Sequence, residues 1–551
     1  GVDQGKAPNL IARNASAFAI NTTFRGGWPT PRPGFKKCAL SFNDDEAIQA
    51  AFEDGRFQTG SGYVSDNGFA SAISSHGGRQ FQLNIDTFNV TEISIAGDFN
   101  PANRETAWSI QAENYWILQD GQSKPFIFDG GSSRRATEYE IPTARQMSYY
   151  MGRIWLAKGR VYVAGDIIYG PSGTALNGFR DSILKLTENQ FLNEGGSFGV
   201  PVSAGEITAL VPIANINTVL GQGELIVFTT GCVFATLVPQ DRTVWKNTSQ
   251  PLQRMIQLAN GAYGQDSVVN VNEDLFYRSD DGIRSLAYSV RNAGQWGNTP
   301  ISNEVQEIIG FDAQAYLKYG SGVNLDNRMM MTTSPAISRD HGVYHRGLAV
   351  LDFDLITGMQ AKAPPAWEGI WTGLNFLKVF TVHHKGVQRC FSYVLSADNK
   401  IELWEITKSD TSDNDGTENI PIEWRVDSRS MDFGSKFDRK KLFSGDFFID
   451  RVSGNYAIDL DYVPDGTACP LDWNSWEGCA KTSLCVEDIV ACEALPNFQP
   501  QYRPMLQALQ PPDTFDSVLN RLNRVGFEFQ VVFNNSGYFR MKQFRANAYE
   551  D

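Results

Sequence analysis

Four cysteines crowd one stretch of this 551-residue chain: Cys469, Cys479, Cys485 and Cys492, spaced by ten, six and seven residues. Clustered thiols can hold zinc or pair as disulfides, but zinc knuckles use two-residue gaps that are missing here. Structural zinc, one or two disulfides, and buried or partly exposed thiols all stay open, with unpaired thiols the expectation. A helix over 483–495 would place Cys485 and Cys492 two turns apart on one face. Cys38, Cys232 and Cys390 stand alone in apolar, strand-like contexts and read as small buried hydrophobes. Of the histidines, His383 and His384 are adjacent, so a strand would point them to opposite faces. His341 and His345 are four apart, but Gly342 between them favours a loop over a chelating helix. No metal site is expected there.

Carboxylates offer a second chemistry. Asp410, Asp413, Asp415 and Glu418 lie in the polar run 409–418, without the alternating acids that precede the glycine of a calcium loop. A solvated loop is the expectation. Ser279-Asp280-Asp281-Gly282 and Ser338-Arg339-Asp340-His341-Gly342 resemble the Asp-box turn of sialidase propellers. The tryptophan that completes that box is missing, since Ser285 or Leu286 and His345 stand there. The chain has no Gly-x-x-x-x-Gly-Lys-Ser/Thr phosphate loop, no Gly-x-Gly-x-x-Gly between strand and helix, and no Gly-x-Ser-x-Gly elbow. The reading is therefore not an enzyme, with no catalytic, cofactor-binding or metal-binding residue assigned. The alternatives are a propeller glycosidase acting on host surface polysaccharide through paired carboxylates, or a receptor-binding or decoration protein of a virion.

Composition says what scaffold would carry such residues. Fifty glycines and 12% aromatic residues suit many short strands joined by tight turns. The formal net charge of −14 excludes a protein that grips nucleic acid by counterion release. The opening Gly1-Val2-Asp3-Gln4-Gly5-Lys6 lacks the apolar segment of a signal peptide, and Gly1 reads as following a removed Met. No apolar run approaches the roughly 20 residues that span a bilayer. A soluble protein made in the cytoplasm is expected.

The hydrophobic pattern divides the chain into four segments. Residues 1–60 form an extended arm and a short helix: Pro29, Pro31 and Pro33 forbid regular structure. Asn43 or Asp44 would cap the helix, and Ile48, Ala51 and Phe52 would be its apolar stripe. Such an arm would pack on another domain or another subunit. Residues 61–408 read as a divergent β-propeller. Hairpins such as Arg153–Gly165, Glu224–Phe234 and Asp274–Leu286 recur at roughly 40–60 residues, the spacing of blades. Residues 409–419 are an acidic linker. Residues 420–551 read as a C-terminal β-sandwich-like domain, with strands ending in turns at Pro464-Asp465-Gly466 and Asn534-Asn535-Ser536-Gly537. The fold class is mainly β.

Three elements carry a family resemblance. They are the arm Asn21–Gly34 ending in Arg32-Pro33-Gly34, the strand-turn-strand Asp274–Leu286, and the closing hairpin from Arg524–Phe529 through Gly537–Met541. In this order they resemble the tail nozzle proteins of podophages, also called tail tubular protein B. The resemblance implies a virion protein of the phage tail, a homo-oligomeric ring that is typically a hexamer. It further implies docking on a tail adaptor, tail fibres outside, and passage of double-stranded DNA during ejection without specific binding. An acidic lumen would let phosphates slide.

Overall fold

The computed structural model describes residues 1–168, 181–186, 197–213, 223–239, 244–245, 252–292, 299–354, 365–467, 470–480, 505–508 and 525–550. Five small antiparallel sheets follow one another, each a meander of sequential neighbours. The first joins Phe57–Val64, Ala70–His76, Arg79–Asn84 and Val90–Glu92. The second joins Trp108–Ala112, Tyr115–Gln119, Phe126–Phe128 and Ser133–Arg135. Met147–Tyr150, Arg153–Lys158, Val161–Ala164 and Ser197–Gly199 make the third. Ile207–Ile213, Glu224–Thr229, Cys232–Thr236 and Gln253–Leu258 make the fourth. The fifth has Val268–Val271, Asp274–Arg278 and Ile283–Ser285. Tight turns suit the meander: Asn272 and Glu273 both adopt positive φ, 50° and 66°, the conformation of a two-residue hairpin whose twist matches its strands.

These sheets are the five blades of a β-propeller arrangement. Side chains from neighbouring blades meet along their first strands. Ser61 Oγ lies 3.2 Å from Ser109 Oγ. Gln265 accepts from the Leu210 amide at 2.9 Å and donates to its carbonyl at 2.8 Å. The ring is completed by Gly322–Leu325, Arg328–Ser338, Gly342–Asp352, Ala366–His384, Val387–Leu395 and Ile401–Ile406, hairpins of the largest sheet. Lys378 closes it, its Nζ donating to Thr59 of blade one at 2.9 Å and to Asp266 ahead of blade five at 2.8 Å.

The arm belongs to this same chain's fold. Phe35–Lys37 is the next strand beyond Ile401–Ile406. Phe18–Ile20 runs antiparallel to Glu423–Asp427 and is bridged to Ile370, so it stitches the propeller to the C-terminal domain. That domain is built on two long strands, Lys440–Pro464 and Phe529–Glu550. Each passes through both layers of a sandwich. Residues 440–450 pair with 540–550 in one layer, and 457–464 pair with 529–536 in the other, with register shifts between them. The core lies between the layers: Phe447 meets Phe533 at a ring separation of 5.1 Å, and Trp473 meets Phe544 at 6.2 Å. Trp424, Leu442, Ile458 and Phe529 are buried beside them.

Four local expectations change. The helix Glu46–Glu53 is capped by Asp45, not Asn43 or Asp44. Those two residues sit at positive φ, 50° and 60°, whereas a capping residue needs the extended backbone that Asp45 has. Phe52 is fully buried as expected, with Ile48 and Ala51 packed beside it. The Asn534–Gly537 segment is not a hairpin turn but the corner at which one strand crosses between layers. The first propeller strand starts at Phe57, ahead of residue 61. The acidic run is docked at one point, where Asp413–Asn414 pairs with Phe35–Lys37 and with Asn419–Ile420, while Asp410 and Glu418 stay exposed. Pro464-Asp465-Gly466 does form a turn.

Candidate functional site

A cavity of about 1320 Å³ is lined by the loops of blades two to five. Its wall is assembled from equivalent places in successive blades. The segment 103–108 and the turn at Gln122 come from blade two, and Arg145 with Gln146 precedes blade three. Glu206 and Thr230 frame blade four, Tyr263 precedes blade five, and the 3-10 helix Gln314–Tyr319 follows it. Each blade's first strand starts, and its second strand ends, on this side of the blades, so the blade repeat itself brings these residues together.

The charged groups of the cavity are largely engaged with one another. Arg145 pairs with Glu206 at 3.2 Å. Lys318 lies 3.6 Å from Glu105, which also accepts from the Tyr319 hydroxyl at 2.5 Å. That hydroxyl, more than the lysine, holds the Glu105 carboxyl below its usual range. Asp120 is spent on its own turn, accepting from the Gln122 amide at 2.8 Å and from the Ser123 amide at 2.7 Å. Two polar groups differ. Gln146, 7% exposed, has its Oε1 buried without a hydrogen-bond partner, and Arg104 has one buried Nη2 in the same condition.

A smaller cavity of about 420 Å³ lies between the first strands of blades one, two and five and the closing strands, beside Lys378.

The residues weighed from the sequence go elsewhere. Cys38, Cys232 and Cys390 are free and buried in three different apolar clusters. Burial pushes the Cys38 thiol up to about 12 and that of Cys390 higher still. Cys469, Cys485 and Cys492 lie outside the described residues, as does the expected helix over 483–495; of Cys479 only the backbone, in the edge strand Leu471–Ala480, is described. His383 is exposed and His384 buried on the opposite face, 2.8 Å from Asp86. The two ring nitrogens of His341 face the carbonyls of Gly55 (3.2 Å) and Asn399 (2.7 Å). His345 is buried in a strand, where loss of solvent pulls its pKa down to about 4. In the Asp-box-like turn, Asp281 accepts from Ser279 at 2.6 Å and from buried Arg284 at 3.1 Å. Asp340 accepts from Asn399 at 3.2 Å. Of the linker acids, Asp413 receives Arg32, while Asp415 caps its own turn. The Thr417 hydroxyl, with two backbone amides, holds Asp415 down to about 2.

Trp108, Gln146 and Tyr263 were invisible as a group in the sequence, because each sits in a different blade without a shared local motif. Their only common signal is position, at or just ahead of a blade's first strand.

No family model matches this chain, and no curated protein matches it. Among solved structures, a chain of the mitotic checkpoint complex is similar at 10% identity and a TM-score of 0.36, over 68% of this chain and 92% of that one. BamB from Moraxella catarrhalis is similar at 11% identity and a TM-score of 0.31, over 72% and 97%. The computationally designed Ika8 protein follows at 9% identity and 0.30, over 67% and 100%. The propeller arrangement of this chain rests on its own strand pairing.

Proposed function

We propose that this chain is a structural subunit of a bacteriophage short tail, a nozzle ring that docks on the tail adaptor and provides a channel for DNA ejection. What carries the reading is the order of the three resemblance elements along the chain, each of which is built into the fold. Arg32 of the arm is buried and ties the arm to the linker. Asp274–Leu286 supplies the second and third strands of the fifth blade. The closing strand supplies both layers of the sandwich, from Phe529 to Glu550; Arg524 itself lies outside the described residues.

The net charge of −14 supports a conduit that repels phosphate rather than holding it. In this reading the DNA path is the axis of a homo-oligomeric ring, probed as a hexamer, and not the axis of one propeller. Fibres bind its outer side, and the protein resides in the virion after assembly in the host cytoplasm. No helix among the described residues is long and apolar enough to cross a membrane. The arm strands found here bind their own chain, so the ring contacts fall to other surfaces. The role is conduit and scaffold, without catalysis or a cofactor.

Mass photometry of the chain with and without its adaptor ring tests the proposal. Adaptor-dependent rings are expected, and a chain that stays monomeric beside the adaptor contradicts it. The second reading, contact with host surface polysaccharide, is favoured by one observation, the cavity lined by loops of blades two to five.

A further inference from the structure

Six charged side chains line the cavity of blades two to five: Arg104, Glu105, Asp120, Arg145, Glu206 and Lys318. All three carboxylates are engaged. Glu206 accepts from Arg145 at 3.2 Å, and Glu105 lies 3.6 Å from Lys318 and accepts from the Tyr319 hydroxyl at 2.5 Å. Asp120 accepts the Gln122 and Ser123 amides on one oxygen and the Ser123 hydroxyl, at 2.7 Å, on the other. Arg104 is the charge left over, since no hydrogen bond or ion pair holds its half-buried side chain among the described residues. Its Nη2 is sealed in the wall, whereas Nε and Nη1 keep access to solvent. A further cation stands nearby: after the Tyr319 hydroxyl, the charges of Lys318 and Arg56 hold the Glu105 carboxyl below its usual range.

We propose that this cavity binds a small anionic ligand, one that presents a phosphate, sulfate or carboxylate group to Arg104. The inference rests on the cavity and is independent of the nozzle reading. Charge makes the selection. A cationic ligand would find no free carboxylate on the lining and would face Arg104. An oxyanion instead forms charge-assisted bonds with the guanidinium, roughly twice as strong as neutral ones. Both two-bonded grips of a guanidinium use Nη2, so here the anion is held one bond at a time, and an ammonium could stand in. The exposed side chains of Asn103 and Gln122 add neutral donors. The volume of about 1320 Å³ is far more than a bare oxyanion fills, and half-buried Trp108 and Tyr263 offer apolar surface to an organic body. The formal net charge of −14 repels anions at long range, so binding depends on these local contacts.

The test uses the full chain. Inorganic phosphate, sulfate, glucose 1-phosphate and trigalacturonate are titrated by isothermal calorimetry, with maltotriose as the neutral counterpart. At least one anionic probe is expected to bind; the free ions binding as tightly as the sugar anions marks a bare oxyanion as the ligand, and tighter sugar anions mark an organic one. Arg104→Gln should weaken binding about tenfold, the loss of one charge-assisted contact, and Arg104→Lys should restore most of it. Glu206→Gln, in an exposed pair, frees Arg145 and should strengthen binding severalfold, which keeps the test decisive if Arg104→Gln does not fold. Arg346→Gln removes an exposed cation from the strand Gly342–Asp352 and should leave the affinity unchanged. Absence of binding by every anionic probe overturns the proposal. So does equal binding of maltotriose, or an affinity that Arg104→Gln and Glu206→Gln both leave unaltered.

Discussion

The guanidinium of Arg32 meets the carboxylate of Asp413 through two bonds, 2.7 Å and 2.8 Å long, across 381 residues of chain. Arg32 also donates to Asn21 Oδ1 at 3.0 Å and to the Thr372 carbonyl at 3.0 Å, and its guanidinium carbon lies 3.6 Å from the centre of the Phe35 ring. One side chain therefore fastens the arm, the strand Ala366–His384 and the acidic run together.

Arg32→Ala is expected to cost about 3–5 kcal/mol, the usual loss when one partner of a buried pair is removed. Asp413→Ala should cost nearly as much, because it strands a buried cation. Arg32→Lys should rescue little, since an ammonium cannot reproduce the planar two-bond contact. Urea unfolding of the unsubstituted chain, the three single variants and the double alanine variant measures this. Additive losses from the two alanine variants would contradict the coupling.

Glu368 gives the arm a pH dependence. Its buried carboxyl accepts from Thr23 of the arm and from Arg328 at 3.2 Å. Burial is the largest influence and raises its pKa from 4.5 to about 7, against the opposing pull of Arg328 and Arg25 and with Asp352 adding to the rise. A folded pKa above the unfolded one means that the fold favours the neutral acid. The stabilisation is complete below pH 4.5 and is lost as the pH climbs through about 7. Glu368→Gln should flatten the stability change between those values. Denaturant midpoints at pH 5 and pH 8 check this, and an equal slope in both proteins would refute it.

Gly537 marks the sandwich corner. Its φ is +84°, and a Cβ there would stand 2.1 Å from the Asn455 carbonyl oxygen. Gly537→Ala combines a left-handed backbone with a backbone clash, so a loss of about 2–4 kcal/mol is expected. Hydrogen exchange should place the damage in 440–464 and 529–550. Unchanged protection there would contradict the corner assignment.

These three positions show what the sequence made legible. The blade hairpins were readable because period-two alternation and turn glycines coincide within a few residues, as in Arg153–Gly165 and Asp274–Leu286. The sandwich corner was not, because Asn534-Asn535-Ser536-Gly537 has turn composition while its residues still pair with 457–459 and with 423–425. The docking of the linker was hidden as well: its acids look solvated until Arg32, hundreds of residues earlier, folds onto Asp413. The cavity of blades two to five was least legible, since residues from four blades meet there only after the blades pack together.

Electron cryomicroscopy of the purified phage particle tests the central claim most directly. The nozzle reading predicts a ring of copies of this chain at the distal end of a short tail, below the adaptor, with acidic side chains on the channel wall. Density for this chain in a fibre or on the capsid, or its absence from the particle, would contradict it.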